Sequence, residues 1–138
     1  MSSTRIGKLK RILVVDDEPE IRQALGLRLT AAGYDVLAAG DGHMGTQLAI
    51  TEQPDAIVLD IGLPAGDGHT VAERLRAHPR TVGIPVIYLT ARTSPVDARK
   101  ARESGAFGYL IKPYPPQVLL SMILKAVNEP AAGFEPHA

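Results

Sequence analysis

Five polar side chains stand where apolar runs stop. RILVV (11–15) breaks into Asp16 and Asp17, AIVL (56–59) into Asp60, PVIYL (85–89) into Thr90, and FGYLI (107–111) into Lys112. A carboxylate at such a place can coordinate a metal, take a proton or act as a nucleophile, and its neighbours decide which. Singly, each residue has a plain structural use: Asp17 as a helix N-cap, Thr90 opening a turn, Lys112 as a solvated lysine. Jointly these uses explain little. If the apolar runs are neighbouring parallel strands in the order 2-1-3-4-5, the first and third meet where the strand order reverses. All five side chains then converge on one edge of the sheet, where open α/β sheets place their ligands.

The elements needed for this convergence are readable. After Asp17, Pro19 suits a first helical turn; Ile21, Ala24, Leu25, Leu29 and Ala32 form an apolar stripe at helical spacing, and Gly33 closes it. The alternation repeats: strand over 34–38, turn at Asp41-Gly42, helix over 43–52, strand over 56–59. A loop punctuated by Gly62, Pro64, Gly66 and Gly68 follows Asp60, then a helix over 69–77 and a strand over 85–89. A fourth helix is expected from about Pro95 to Ser104, a fifth strand over 107–111 and a last helix over 116–127. Five strands alternating with five helices predict an α/β fold, a doubly wound five-stranded parallel sheet of flavodoxin-like type. The domain spans 10–128, and 129–138, with two prolines, a glycine and no periodicity, is expected to be a disordered tail.

Composition narrows the function classes. Fifteen basic residues balance fifteen acidic ones, so no net field draws the chain to nucleic acid or an anionic membrane. The absence of cysteine removes disulfides and thiolate metal sites, and the four histidines (43, 69, 78 and 137) lack metal-ligand spacing. No apolar run reaches the ~20 residues of a membrane span, and the expectation is a cytoplasmic protein. Phosphate-cradling glycine motifs and GxSxG are absent too, which argues against nucleotide binding and serine hydrolase chemistry.

The acidic pair in VVDDEP, the aspartate of LDIGLPAGDG, Thr90-Ala91 and Lys112-Pro113 together resemble the receiver domain of bacterial two-component response regulators, in that family's order and spacing. The resemblance covers about 11–127. It implies that Asp60 accepts a phosphoryl group and that Asp16, Asp17, Asp60 and the Gly62 carbonyl hold Mg²⁺, with Mn²⁺ as a substitute. It further implies that Lys112, Thr90 and the Ala91 backbone N–H contact the phosphoryl oxygens, that Thr90 and Tyr109 form a switch, and that Lys112-Pro113 is a cis peptide. The chemistry is sound without the name. Crowded carboxylates need a cation, a hard cation prefers oxygen donors, and a carboxylate can serve as the nucleophile for an aspartyl phosphate. Leu63 stands where methionine is common in the family, and Gly62 and Arg92 occupy positions that set phosphate lifetime, pulling in opposite directions.

The function implied is a single-domain response regulator, a phosphoacceptor rather than an enzyme on a separate substrate, with intrinsic autophosphorylation from small donors and autodephosphorylation. Its partner would be a sensor histidine kinase or a histidine phosphotransfer protein, with an unidentified downstream protein and neither direct nucleic-acid contact nor a membrane. The last helix carries Leu119, Leu120, Ile123 and Val127 as its core stripe. Val118 and Met122 fall on another face, which suggests docking or a homodimer through the fourth helix, fifth strand and last helix. Leu27 lies off its own helix's stripe. The alternatives are a receiver from a longer DNA-binding regulator or hybrid kinase and, from another class, a Mg²⁺-dependent aspartate-nucleophile phosphatase. The phosphatases carry a second aspartate two residues after the nucleophile, where this chain has Gly62. A flavin carrier would share the fold but needs a phosphate-cradling first loop.

Overall fold

In the computed structural model, residues 9–62, 67–90, 105–128 and 135–137 are described, together with positions 99 and 103. The elements in chain order are β1 (Arg11–Val15), α1 (Pro19–Ala31), β2 (Asp35–Ala39), α2 (Gly42–Glu52), β3 (Ala56–Asp60), α3 (Asp67–Ala77), β4 (Val86–Thr90), β5 (Gly108–Ile111), α4 (Pro116–Asn128) and β6 (Glu135–His137). The helix expected over 95–104 lies outside the described residues, except for Arg99 and Glu103, both helical.

All strand pairs are parallel, and the order is β2-β1-β3-β4-β5-β6. The five expected strands thus take the expected order. The sixth comes from the segment expected to be disordered, and pairs Tyr109 with Pro136 in register. Three residues including a proline carry no strand signal of their own; what makes them a strand is the unpaired edge of β5, and proline is tolerated there because β6 is itself an edge.

Side chains alternate along each strand and divide the core between two faces. Leu13, Val15, Ile57, Leu59 and Tyr88 pack on one face against Ala49 of α2 and Val71 and Leu75 of α3. Ile12, Val14, Val58, Ile87 and Leu110 pack on the other against Leu25 and Leu29 of α1 and Leu119, Met122, Ile123 and Ala126 of α4. β3 is buried throughout, which accounts for its uninterrupted apolar run.

Two helical stripes differ from expectation. In α4, Met122 is 2% exposed and belongs to the core, because residues 119, 122, 123 and 126 form the i, i+3, i+4, i+7 face; the outward apolar side chain is Leu124. In α1 only Leu25 and Leu29 are buried. Ile21 and Ala24 are exposed and, with Leu25, line one wall of a groove of about 370 Å³, whose other wall is Pro113, Tyr114, Pro116 and Leu119. Leu27 is 74% exposed, as its position off the stripe predicts.

At the amino ends of the strands, Arg11 ties four segments together. Its backbone N–H donates to Asp55 Oδ2 (2.8 Å), its Nε to Asp35 Oδ2 (3.1 Å), and its Nη1 to Glu52 Oε1 (3.0 Å). This leaves the carboxyl ends for chemistry.

Candidate functional site

β1 and β3 are hydrogen-bonded neighbours, with Val15 opposite Leu59, so Asp16 and Asp60 emerge side by side from adjacent strands. Asp17 joins them. One carboxylate oxygen from each of Asp16, Asp17 and Asp60 lies within 4.8 Å of the others. Asp16 and Asp60 are buried and Asp17 is exposed, so the cluster opens to solvent on one side.

Both oxygens of Asp60 are engaged. Oδ1 accepts the Gly62 N–H (2.8 Å), and Oδ2 accepts from Lys112 Nζ (3.0 Å). The ammonium arrives from the end of β5, two strands away. Register places Asp60 opposite Leu89 and Thr90 opposite Ile111, while the Lys112 N–H donates to the Thr90 carbonyl (2.8 Å). Thr90 is buried as the last residue of β4, one position further into the strand than the sequence implied. Lys112-Pro113 is cis, as the resemblance implied. Tyr109 is buried on the α2–α3 face of the sheet. Gly62 meets the site through its N–H; a Cβ there would stand 3.2 Å from Asp60 Oδ1. Leu63, Ala91 and Arg92 lie outside the described residues.

Asp17 is not the N-cap of α1. Glu18 holds that position with Pro19 next, while Asp16 Oδ1 accepts the Glu18 N–H (2.9 Å). Proline at the first helical position moves the cap to the residue before it, and Asp17 is left to the acid cluster.

The electrostatics of the cluster favour a cation. Burial pushes the Asp16 carboxyl above the usual carboxylate range; the Glu18 N–H and Lys112 oppose the shift, and the charges of Asp60 and Asp17 reinforce it. Asp16 Oδ2 is buried with no hydrogen-bond partner among the described residues. A buried carboxylate oxygen without a partner, facing two further carboxylates and one ammonium, fits a small hard cation bound through oxygen. The donor set therefore suits the divalent metal the resemblance implied.

Sequence reasoning missed two residues beside the cluster. Arg22, one turn into α1, donates from Nη1 to the Asp16 carbonyl (2.7 Å). Tyr114 follows the cis peptide, and its phenol is pushed up by burial and further by Asp16 and Asp60, with Arg28 opposing. The helix start at Pro19 could have pointed to Arg22, since it turns residue 22 back over the acidic loop. Nothing in the spacing singles out Tyr114.

A parallel sheet doubly wound by helices, with an acidic cluster and a lysine at the point where strand order reverses, defines a flavodoxin-like protein with a cation-ready acidic site. The model of the response regulator receiver domain matches residues 12–124, and the chain belongs to that family. It is 44% identical to the DNA-binding dual master transcriptional regulator RpaA of Synechocystis, over 83% of this chain and 48% of that protein. It is 38% identical to the DNA-binding response regulator MtrA of Mycolicibacterium smegmatis, over 83% and 49%. The chain thus spans about half the length of these curated relatives. Among solved structures, a putative response regulator from Chloroflexus aurantiacus superposes with a TM-score of 0.83 at 35% identity, covering 88% of this chain and all of that one. Chemotaxis protein CheY4 of Vibrio cholerae gives 0.79 at 31%, covering 86% and 98%. No helix among the described residues is long and apolar enough to cross a membrane.

Proposed function

We propose that this chain is the phosphoacceptor of a two-component relay, taking a phosphoryl group onto Asp60 from a sensor histidine kinase or a histidine phosphotransfer protein. The observation that carries this reading is the Asp60 carboxylate held 3.0 Å from Lys112 Nζ and clustered with Asp16 and Asp17. Asp16, Asp17, Asp60 and the Gly62 carbonyl would hold Mg²⁺, or Mn²⁺ in its place. When bound, the ion neutralises the carboxylates and the incoming phosphoryl oxygens.

The chain's own residues supply the remainder. One Asp60 oxygen attacks the phosphorus, an O–P bond forms as the donor's P–N bond breaks, and the electron pair returns to the imidazole nitrogen. Lys112 shifts from the carboxylate to a phosphoryl oxygen, with the Thr90 hydroxyl and Ala91 N–H as further donors. Movement of Thr90 would be passed to Tyr109 on the neighbouring strand, and from there to the face of β5 and α4, where a downstream protein or a second copy would dock. In this reading the chain is an acceptor that loads from small donors and hydrolyses its own phosphate, acting in the cytoplasm, with 10–128 as the receiver. The DNA-binding relatives support a second reading of the output, in which the receiver governs a DNA-binding partner domain instead of acting alone.

Intact mass with Mg²⁺ and acetyl phosphate tests the reading. The wild type is expected to gain one phosphate and Asp60→Ala none; equal gain by both, or none by the wild type, would refute it. Lys112→Met removes the ammonium while keeping the stem, and is expected to slow the gain about 100-fold, the effect of losing one charge-stabilising donor. A rate within a factor of two of wild type would remove Lys112 from the mechanism.

A further inference from the structure

We propose that Arg22 is the positioning residue that presets the acidic loop for its cation; the inference rests on the metal-dependent reading of Asp16, Asp17 and Asp60 above. β2 ends at Ala39, opposite Val15, so Asp16 is the first residue of the loop beyond the ladder. It is nonetheless held from three sides. Its N–H donates to the Ala39 carbonyl (3.1 Å), its Oδ1 accepts the Glu18 N–H (2.9 Å), and its carbonyl accepts from Arg22 Nη1 (2.7 Å). The third contact orients the peptide plane between Asp16 and Asp17, and that plane governs the direction in which the exposed Asp17 carboxylate leaves the backbone.

Arg22 does this without entering the cluster. Among the described residues its guanidinium makes no ion pair with Asp16, Asp17 or Asp60, so it orders the loop while leaving the carboxylates to a cation. The guanidinium is itself placed by the start of the β2–α2 loop. A Cβ on Gly40 would stand 3.1 Å from Arg22 Nη1 and 3.5 Å from its Cζ, so residue 40 leaves the room the arginine occupies. Gly40 has no positive φ, and substitution there acts on the arginine rather than on backbone strain. Groups that orient metal ligands from outside the coordination sphere commonly set metal affinity.

The test is Mg²⁺ titration by calorimetry on the full chain, with metal-free denaturation midpoints and phosphate uptake measured across Mg²⁺ concentrations. Arg22→Met keeps the stem and removes the donors; it is expected to weaken Mg²⁺ binding about tenfold, and its slower uptake is recovered by raising Mg²⁺. Arg22→Lys restores one donor and is expected to regain part of the affinity. Gly40→Ala, which displaces the guanidinium without touching an acid, is expected to weaken binding in the same direction and to add nothing to Arg22→Met in the double variant. Wild-type affinity in a folded Arg22→Met, or losses that add in the double variant, would overturn the proposal. A wild type that binds no Mg²⁺ would instead refute the reading beneath it.

Discussion

Gly68→Ala is expected to destabilise the protein by about 3 kcal/mol, the upper range for overpacking a rigid site. Gly68 lies in the first turn of α3, and a Cβ there would collide with the Ile61 Cα and stand 2.8 Å from its carbonyl carbon and oxygen. The obstacle is backbone, so no rotamer relieves it; α3 must withdraw from the residue that follows Asp60. Phosphate uptake is expected to fall along with the denaturation midpoint. Gly83→Ala is the matched control, since nothing lies within 4 Å of its Cβ and its φ is not positive; its effect is expected within about 0.5 kcal/mol. Equal midpoints for the two variants would show that α3 can shift at no cost.

Asp16→Asn is expected to strengthen the metal-free fold while ending Mg²⁺ binding. Asp16 is fully buried and its folded pKa lies above the ordinary value of 3.8, so the charged form is disfavoured in the native state. Below the unfolded pKa both states are protonated and the group costs nothing. As pH rises the unfolded chain gives up its proton first, and stability falls until the folded carboxyl also ionises. Above that point the metal-free protein carries the full penalty. Asparagine removes the charge and retains an oxygen for the Glu18 N–H. The expected gain is about 1 kcal/mol at neutral pH, vanishing in acid below 3.8. Millimolar Mg²⁺ should raise the wild-type midpoint and leave the variant unchanged. A variant less stable than wild type at neutral pH without metal would refute the account of an uncompensated charge.

The convergence of Asp16, Asp17, Asp60, Thr90 and Lys112 was legible because each residue ends an apolar run, and the rules for parallel sheets bring such ends together. What escaped had no local signature. Arg22 looks like any solvated helix residue until the helix start fixes its turn. Met122 was misplaced because the stripe of α4 can be drawn along two overlapping apolar faces, and only packing against the sheet chooses between them. Strand boundaries slipped by a residue: β3 and β4 run on past their apolar stretches to Asp60 and Thr90, where hydrogen bonding to a neighbour extends the ladder, and β2 and β5 begin one residue later than expected. β6 depends wholly on β5 offering an edge.

The clasp of Arg11 with Asp35, Glu52 and Asp55 lies at the end of the sheet away from the acidic cluster. The molecule therefore keeps cohesion and reactivity at opposite poles. At one pole a single guanidinium bridges two carboxylates while its own backbone N–H holds a third; at the other three carboxylates are crowded together with one ammonium. Such a division would let the acidic pole change by substitution while the scaffold's anchor is left untouched.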